Sequence, residues 1–199
     1  QRDYWYTAAR DWRALEDIEE VGRKAARKAV ERLGAGKLST RKAPVLFAPD
    51  LARGLVGHFV GAIGGTAQYR RSSFLLDARG QRVFPEGISL IERPHLRGAL
   101  GSAPFDSEGV ATRDRELVVH GVLDGYLLDA YSARKLGLVT TGNAGGVHNL
   151  VVQGHMLDPK TLLKKLGTGL LVTEMMGQGV NPVTGDYSRG AAGFWVESG

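Results

Sequence analysis

The feature that most constrains the fold is a change in hydrophobic spacing near residue 66. Residues 15–33 repeat an apolar side chain or alanine every three or four positions, which places these side chains on one face of a helix. Gly34 follows as a helix-terminating residue. Beyond residue 66, short apolar runs alternate with turn residues. This order predicts an α+β fold, with N-terminal helices followed by a largely antiparallel β domain rather than alternating βαβ units.

A second helix is predicted in the run LARGLVGHFVGAI, with Asp50 as its N-cap and an end near Gly61. Arg53 is the only charged residue in this run, so the helix is expected to be mostly buried. Its one polar side chain in the middle, His58, is then interpreted as a core or cleft histidine.

Short strands are predicted through the second half of the chain. SSFLLDARGQRVFP is typical of two strands around residues 78–80, and ELVVHGVLDGYLLDAY of two more joined at His120-Gly121. Asp158-Pro159 indicates a helix start, Gly167 its end, and two further strands follow. The 28 glycines, about twice the average usage of ~7%, fit many tight turns.

Composition excludes several classes of protein. The net charge of +5 comes from dispersed Lys and Arg, which favours a solvated surface over a nucleic-acid footprint. Cysteine is absent, so disulfide frameworks and thiolate ligands are excluded within these residues, and a reducing, cytoplasmic setting fits. No run approaches the ~20 apolar residues that a membrane helix needs. The start at Gln1 and the strand-like end FWVESG suggest part of a longer chain.

The sequence shows no complete set of catalytic residues of a known hydrolase type. A zinc protease helix needs two histidines on one face and a Glu that activates water, but residues 51–65 offer one histidine and no carboxylate. The other four histidines are scattered, and there is no G-x-S-x-G nucleophile elbow. Asp106 and Glu108 lie among basic residues and are interpreted as part of a solvated loop.

The run TTGNAGGVHNL has two interpretations that the residues leave open. Its glycines allow positive φ and a close backbone approach, and they expose N–H groups. The run is therefore either an irregular connector or a loop that binds a peptide or an anion. It is not a P-loop, because no G-K-[ST] follows.

Several longer motifs carry a family resemblance over the whole chain. APVLFAPDLARGLVGHFVGAI, YSARKLG, TTGNAGGVHNL and NPVTGDYSRGAAGFW are similar to the TldD/PmbA family, also described as modulators of DNA gyrase, and to its PmbA (TldE) branch in particular. The resemblance implies that residues 1–36 form a linking helix after a missing N-terminal α/β domain. Residues 37–199 would form the C-terminal β-rich domain, truncated at its end.

The resemblance also implies an activity and a partner. Members act as zinc metallopeptidases that degrade or trim peptides and small unfolded proteins, and a TldD-type subunit pairs with a PmbA-type subunit in a heterodimer. The TldD-type subunit carries H-E-x-x-x-H and the zinc ion. A homodimer is expected when a PmbA-type subunit is isolated.

Aligned without gaps, the zinc motif falls on Gly57, His58 and Ala62, and these positions supply only one imidazole. The expected subunit therefore has no catalytic residue and binds no metal or cofactor itself. The resemblance places the glycine-rich loop beside the substrate cleft. The expected cleft residues are Thr141, Gly142, Asn143, Gly145, Gly146, His148 and Asn149.

Two other functions remain open. One is a regulatory or binding protein without a protease role, as the gyrase-modulator name suggests, although no nucleic-acid motif supports it. The other is an autonomous hydrolase whose metal site the sequence does not reveal.

Overall fold

The computed structural model describes residues 1–199 as five α-helices and seven β-strands. The helices are α1 (Ile18–Glu31), α2 (Pro49–Ala62), α3 (Gly65–Tyr69), α4 (Ala130–Leu136) and α5 (Pro159–Leu166). The strands are β1 (Val45–Phe47), β2 (Ser89–Glu92), β3 (Arg115–Val119), β4 (Val122–Leu123), β5 (Leu150–Gln153), β6 (Gly169–Met176) and β7 (Gly190–Val196). The predicted α+β class is confirmed. None of the helices is both long and apolar enough to cross a membrane.

The seven strands form two separate sheets. One is antiparallel throughout, in the order β4-β3-β2-β5, and the other has the order β1-β6-β7. In the second sheet β7 runs antiparallel to β6, whereas β1 runs parallel to it, with Val45 opposite Leu170. The sheets are thus largely antiparallel, as expected, with one parallel pair.

The hydrophobic core lies between the four-stranded sheet and α2. Leu90, Leu117 and Leu123 of the sheet are fully buried, and α2 adds Phe59. The Phe59 ring meets Phe84 edge to face at 5.0 Å between centroids. This packing fixes one face of α2 on the sheet, so its opposite face is free to line a cavity.

The predicted helices near both ends of the chain are confirmed as α1 and α5. The Asp17 carboxylate caps α1 by accepting from the N–H groups of Glu19 and Glu20. Asp158 caps α5 in the same way, and Gly167 follows it with a φ of 62°. The predicted His120-Gly121 turn is also confirmed; it joins β3 to β4 and both residues have positive φ.

Three local predictions are wrong. Residues 72–85 form turns, with only an isolated bridge between Arg82 and Val122, instead of two strands. The strand expected after the His120-Gly121 turn stops at Leu123, and helix α4 follows it. Asp50 does not cap α2, because Ala48 occupies the N-cap and no side chain caps the helix. Short apolar runs do not distinguish strands from buried turns or helix starts, which accounts for the first two errors.

Helix α2 is also less buried than predicted. Only Phe59 and Ala62 are buried in it, whereas Leu55, Gly57 and His58 are exposed. The helix lacks charges on its open face because that face lines a cavity. His58 is therefore a cleft residue and not part of the core.

Candidate functional site

A cavity of about 630 Å³, here called the central cleft, lies beside the open face of α2. It reaches the start of α3, the first residues of α4, the glycine-rich loop 140–149 and the loop between β6 and β7. The backbone N–H of Phe74 donates to the Pro182 carbonyl at 2.9 Å, which ties that last loop to the segment after α3. The cleft is thus built from parts of the chain that are far apart in sequence.

Helix α2 presents small residues and one ring to the cleft. A Cβ added at Gly57 or at Gly61 would meet no atom within 4 Å, so the helix backbone is accessible there. The exposed His58 ring packs edge to face on Tyr187, with centroids 5.8 Å apart. An extended chain could therefore approach this helix closely.

The residues on this helix do not fit a zinc ion. Zinc in proteins needs three or four nitrogen, sulfur or carboxylate ligands, and the positions of the family motif hold Gly57, His58 and Ala62. The structure brings no three His, Cys, Asp or Glu side chains together in a metal-binding group. The single imidazole of α2 thus has no partners with which to hold a metal.

A buried network fixes the glycine-rich loop from behind. Oε1 of Glu92, at the end of β2, accepts from the side-chain amide of Asn143 and the backbone N–H of His148, both at 2.7 Å. Nδ1 of His148 lies 3.1 Å from the same oxygen. The Arg115 guanidinium donates to Oδ1 of Asn143 at 2.8 Å. The strand end therefore sets the loop conformation through a network whose central side chains, Glu92 and Asn143, are buried.

A second buried carboxylate, Asp106, holds the outer part of the loop. It accepts from the backbone N–H groups of Ala144, Val110 and Glu108, each at 2.9 Å. Burial acts to raise the pKa of Asp106, but these three N–H donors outweigh it and hold the pKa below its ordinary value. The prediction of a solvated loop is wrong for Asp106, which is 5% exposed, whereas Glu108 is exposed as expected.

The glycines of the loop have conformations that other residues avoid. Gly142, Gly145 and Gly146 have φ values of 73°, 98° and 118°. A Cβ added at Gly145 would lie 2.6 Å from the Ser107 hydroxyl oxygen. Since L-residues rarely adopt such φ values, the loop requires glycine at these positions.

The predicted site residues separate into two groups. Asn143, Gly145 and Gly146 line the central cleft together with Gly57, His58 and Ala62. Thr141, Gly142, His148 and Asn149 do not line it. Thr141 and His148 belong to the network around Asn143, and Asn149 donates to the Arg93 carbonyl at 2.9 Å. The structure thus gives the second group a supporting position, and contact of either group with a substrate stays a prediction.

The sequence interpretation missed the supporting carboxylates and part of the cleft wall. The sequence does indicate the role of Glu92, because this residue ends the apolar run ISLIE and a glutamate is buried only when it is paired. Asp129 of the cleft wall carried a signal too, since an Asp N-cap and the terminating Gly137 mark a helix, whereas Ser132 carried none. The Asp129 carboxylate caps α4 through the Ser132 N–H at 2.6 Å, and its hydrogen bonds to Ser132 lower its pKa.

Comparison with known proteins identifies the family of the chain. Residues 40–199 match the family model described as the PmbA/TldA metallopeptidase C-terminal domain. The chain belongs to the TldD/PmbA metallopeptidase family. It is 54% identical over its whole length to Metalloprotease PmbA of Escherichia coli O157:H7 and, at the same identity, to the PmbA homolog of Haemophilus influenzae. The TldD homolog of Haemophilus influenzae is 28% identical over 130 residues.

Solved structures of TldD/PmbA relatives have the same fold. A candidate modulator of DNA gyrase from Bacteroides thetaiotaomicron superposes with a TM-score of 0.91 at 31% identity, over 98% of this chain and 44% of that one. TldE from Thermococcus kodakarensis gives 0.79 at 25% identity, over 96% and 46% of the two chains. The chain spans 44% of the length of the curated PmbA relatives above.

Proposed function

We propose that this chain is part of a PmbA-type, non-catalytic subunit of a TldD/TldE zinc metallopeptidase that degrades or trims peptides and small unfolded proteins. The observation that carries the proposal is the central cleft: α2 and the glycine-rich loop line it together, yet α2 supplies one imidazole and no carboxylate beside it. The names of the PmbA and TldE relatives support the family activity.

The role of the cleft is to hold an extended peptide. Backbone groups of the peptide and of the cleft can pair without reference to side chains, and such pairing accepts many sequences. The glycines at 57, 61, 145 and 146 allow close approach of the peptide backbone. Glu92 and Asp106 hold the loop in one conformation before the peptide arrives, which reduces the ordering cost of binding.

A TldD-type subunit supplies the zinc ion and the general base in this proposal. The partnership is supported by the likeness of the chain to both a TldE structure and a TldD homolog. The chain's own contribution is to bind the peptide, keep it extended and exclude water around the scissile bond. The cytoplasm is the proposed location.

The test is cleavage of an unfolded model peptide by the full-length protein, purified alone and co-purified with the TldD-type homologue from the same source. We expect activity only in the pair and its loss on chelation. Chelator-sensitive activity of the protein alone would overturn the non-catalytic role. Replacement of the first motif histidine in the partner by alanine is the matched control and should abolish cleavage by the pair.

A further inference from the structure

A second cavity, here called the annex, adjoins the central cleft. Its volume is about 380 Å³, and it shares His58, Phe74 and Val180 with the cleft. The two cavities therefore lie side by side along α2, next to the His58–Tyr187 ring pair. A chain lying along α2 and the glycine-rich loop would have the annex within reach of its side chains.

The walls of the annex are mainly apolar. They include Leu55 and Phe59 of α2, Phe74 after α3, and Val83 and Phe84 from the turns that follow. The rings of Phe59 and Phe84 pack on each other, so the inner wall is fixed by the core. Phe74 and Leu55 are partly exposed at the mouth.

The charges around the annex select against cationic side chains. Arg82 is the one charged residue in its lining, and its guanidinium donates to the His120 carbonyl at 3.3 Å. No Asp or Glu lines the cavity. A Lys or Arg side chain placed there would lose its hydration and face a like charge without a partner, which is unfavourable.

From this geometry we infer that the annex is a specificity subsite for one large apolar side chain of the bound peptide, aromatic or branched aliphatic. The inference rests on the proposed function, because it assigns a substrate preference to the same cleft. The volume lies near the lower end of the ~300–1,000 Å³ found for ligand pockets, which suits one side chain with its flanking backbone. The central cleft holds the peptide backbone whatever its side chains are, and the annex selects the one side chain that enters it.

The test uses the full-length pair and a set of peptides of Gly, Ser and Ala. At each position in turn the peptide carries Phe, Ser or Lys, and kcat/KM is measured. We expect one register at which Phe exceeds Ser by about 10-fold or more and Lys is the poorest, since one apolar group in such a pocket gives about 10–200-fold discrimination. Equal values at every register would overturn the subsite.

Variants of Leu55 test whether the annex causes the preference for Phe over Ser. Leu55 is 36% exposed on α2, so Leu55→Lys adds a cation at the mouth with little change in helix propensity. It should reduce the Phe-to-Ser ratio at that register about 10-fold and raise kcat/KM for a Glu peptide. Leu55→Gln provides a neutral second variant and should reduce the ratio by a smaller factor.

The control is Leu138→Lys, because Leu138 is 41% exposed and lies outside both cavities. It should leave the Phe-to-Ser ratio unchanged. If Leu55→Lys and Leu55→Gln also leave the Phe-to-Ser ratio unchanged, another segment covers the annex. That result would overturn the subsite, while the proposed function would stand. Absence of cleavage of every peptide by the wild-type pair would instead overturn the proposed function, and the subsite with it.

Discussion

Glu92 connects the four-stranded sheet to the cleft at the scale of single residues. Its carboxylate accepts from Asn143 and His148 and lies 3.7 Å from the Arg115 guanidinium. Burial acts to lower the pKa of Arg115, and the Glu92 charge opposes that effect. The buried charge of Glu92 and the half-buried charge of Arg115 are therefore tolerated because each has the other as its partner.

Glu92→Ala should destabilise the fold by about 3 kcal/mol, because it removes the carboxylate charge beside the Arg115 guanidinium and the acceptor of the Asn143 and His148 N–H groups. The free energy of unfolding in urea measures the change. Glu116→Ala, an exposed change on the neighbouring strand β3, should stay within about 0.5 kcal/mol of wild type. Equal effects of the two changes would contradict the role given to Glu92.

Asp106 should make the stability depend on pH in the acid range. Its folded pKa is lowered, so its contribution is complete above the unfolded value of about 3.9 and is lost as the pH falls through the lower folded pKa. Asp106→Asn should cost about 2 kcal/mol at pH 7, since the charged acceptor is lost. The difference from wild type should shrink as the pH falls below about 4, as unfolding measured between pH 3 and 7 would show. A constant difference would rule this assignment out.

Gly145→Val should impair peptide cleavage by the pair about 10-fold or more, because valine strains a φ of 98° and meets the Ser107 hydroxyl. Gly98→Val is the matched control. It has a similarly positive φ of 74° and open space for a Cβ, but it lies outside both cavities. Both variants should fold, as circular dichroism would show. Normal turnover by a folded Gly145→Val protein would refute the role of the loop.

Part of the candidate site could be predicted from these residues. The run TTGNAGG carries its own signal, since consecutive glycines indicate backbone conformations that other residues avoid. That Asn143 and Gly145 face the same cleft as His58 could not be derived from spacing, because a loop and a helix about 85 residues apart meet only through the packing of α2 on the sheet. The distinction between lining and supporting residues likewise depends on side-chain direction.

At the scale of elements, the β3–β4 hairpin offers a test of turn chemistry. His120 and Gly121 have φ values of 46° and 83°, as a type I′ turn requires. His120→Asn should stabilise the fold by about 0.5 kcal/mol, because asparagine adopts positive φ more readily than most residues. Thermal unfolding measures the gain, and a loss of stability would contradict the turn assignment.

Gly121→Ala tests the same hairpin in the opposite direction. Its Cβ would lie 2.3 Å from the Phe84 carbonyl oxygen, so the turn and the neighbouring backbone would have to separate. We expect a loss of at least about 2 kcal/mol from strain and disturbed packing. Gly109→Ala is the control, because Gly109 has a φ of 78° and open space for a Cβ. Its loss of stability measures the strain of positive φ alone, and the further loss in Gly121→Ala measures the contact with Phe84.

The elements that could be predicted have signals within their own residues. Helix α5 has an aspartate cap, a proline at its first position and a terminating glycine, all within ten residues. Helix α4 also had such signals, which the sequence interpretation missed: Asp129 caps it and Gly137 ends it with a φ of 67°. Residues 72–85 have apolar residues of strand type, but their conformation is set by contacts with other parts of the chain. The Val83 N–H, for example, donates to the Gly121 carbonyl at 2.8 Å. Local patterns do not contain such long-range pairings.

At the scale of the whole molecule, the distribution of charge opposes a nucleic-acid function. The full-length protein should bind duplex DNA no more tightly than the non-specific range of about 10⁻⁴–10⁻⁶ M at physiological salt. The physical reason is that the positive charges of this region are dispersed along the chain instead of clustered in one patch. Fluorescence anisotropy at several salt concentrations tests this. Sub-micromolar binding with a steep salt dependence would favour the regulatory alternative.

The parallel pairing of β1 with β6 has a consequence for the order of folding during synthesis. Val45 meets Leu170 across more than 120 intervening residues, and β7 can join only afterwards. A nascent chain that has exposed α2 and the four-stranded sheet therefore still lacks the second sheet, and β1 has no partner until β6 leaves the ribosome. Long-range pairings of this kind form slowly. Until then the edge of β1 remains open to pairing with other chains.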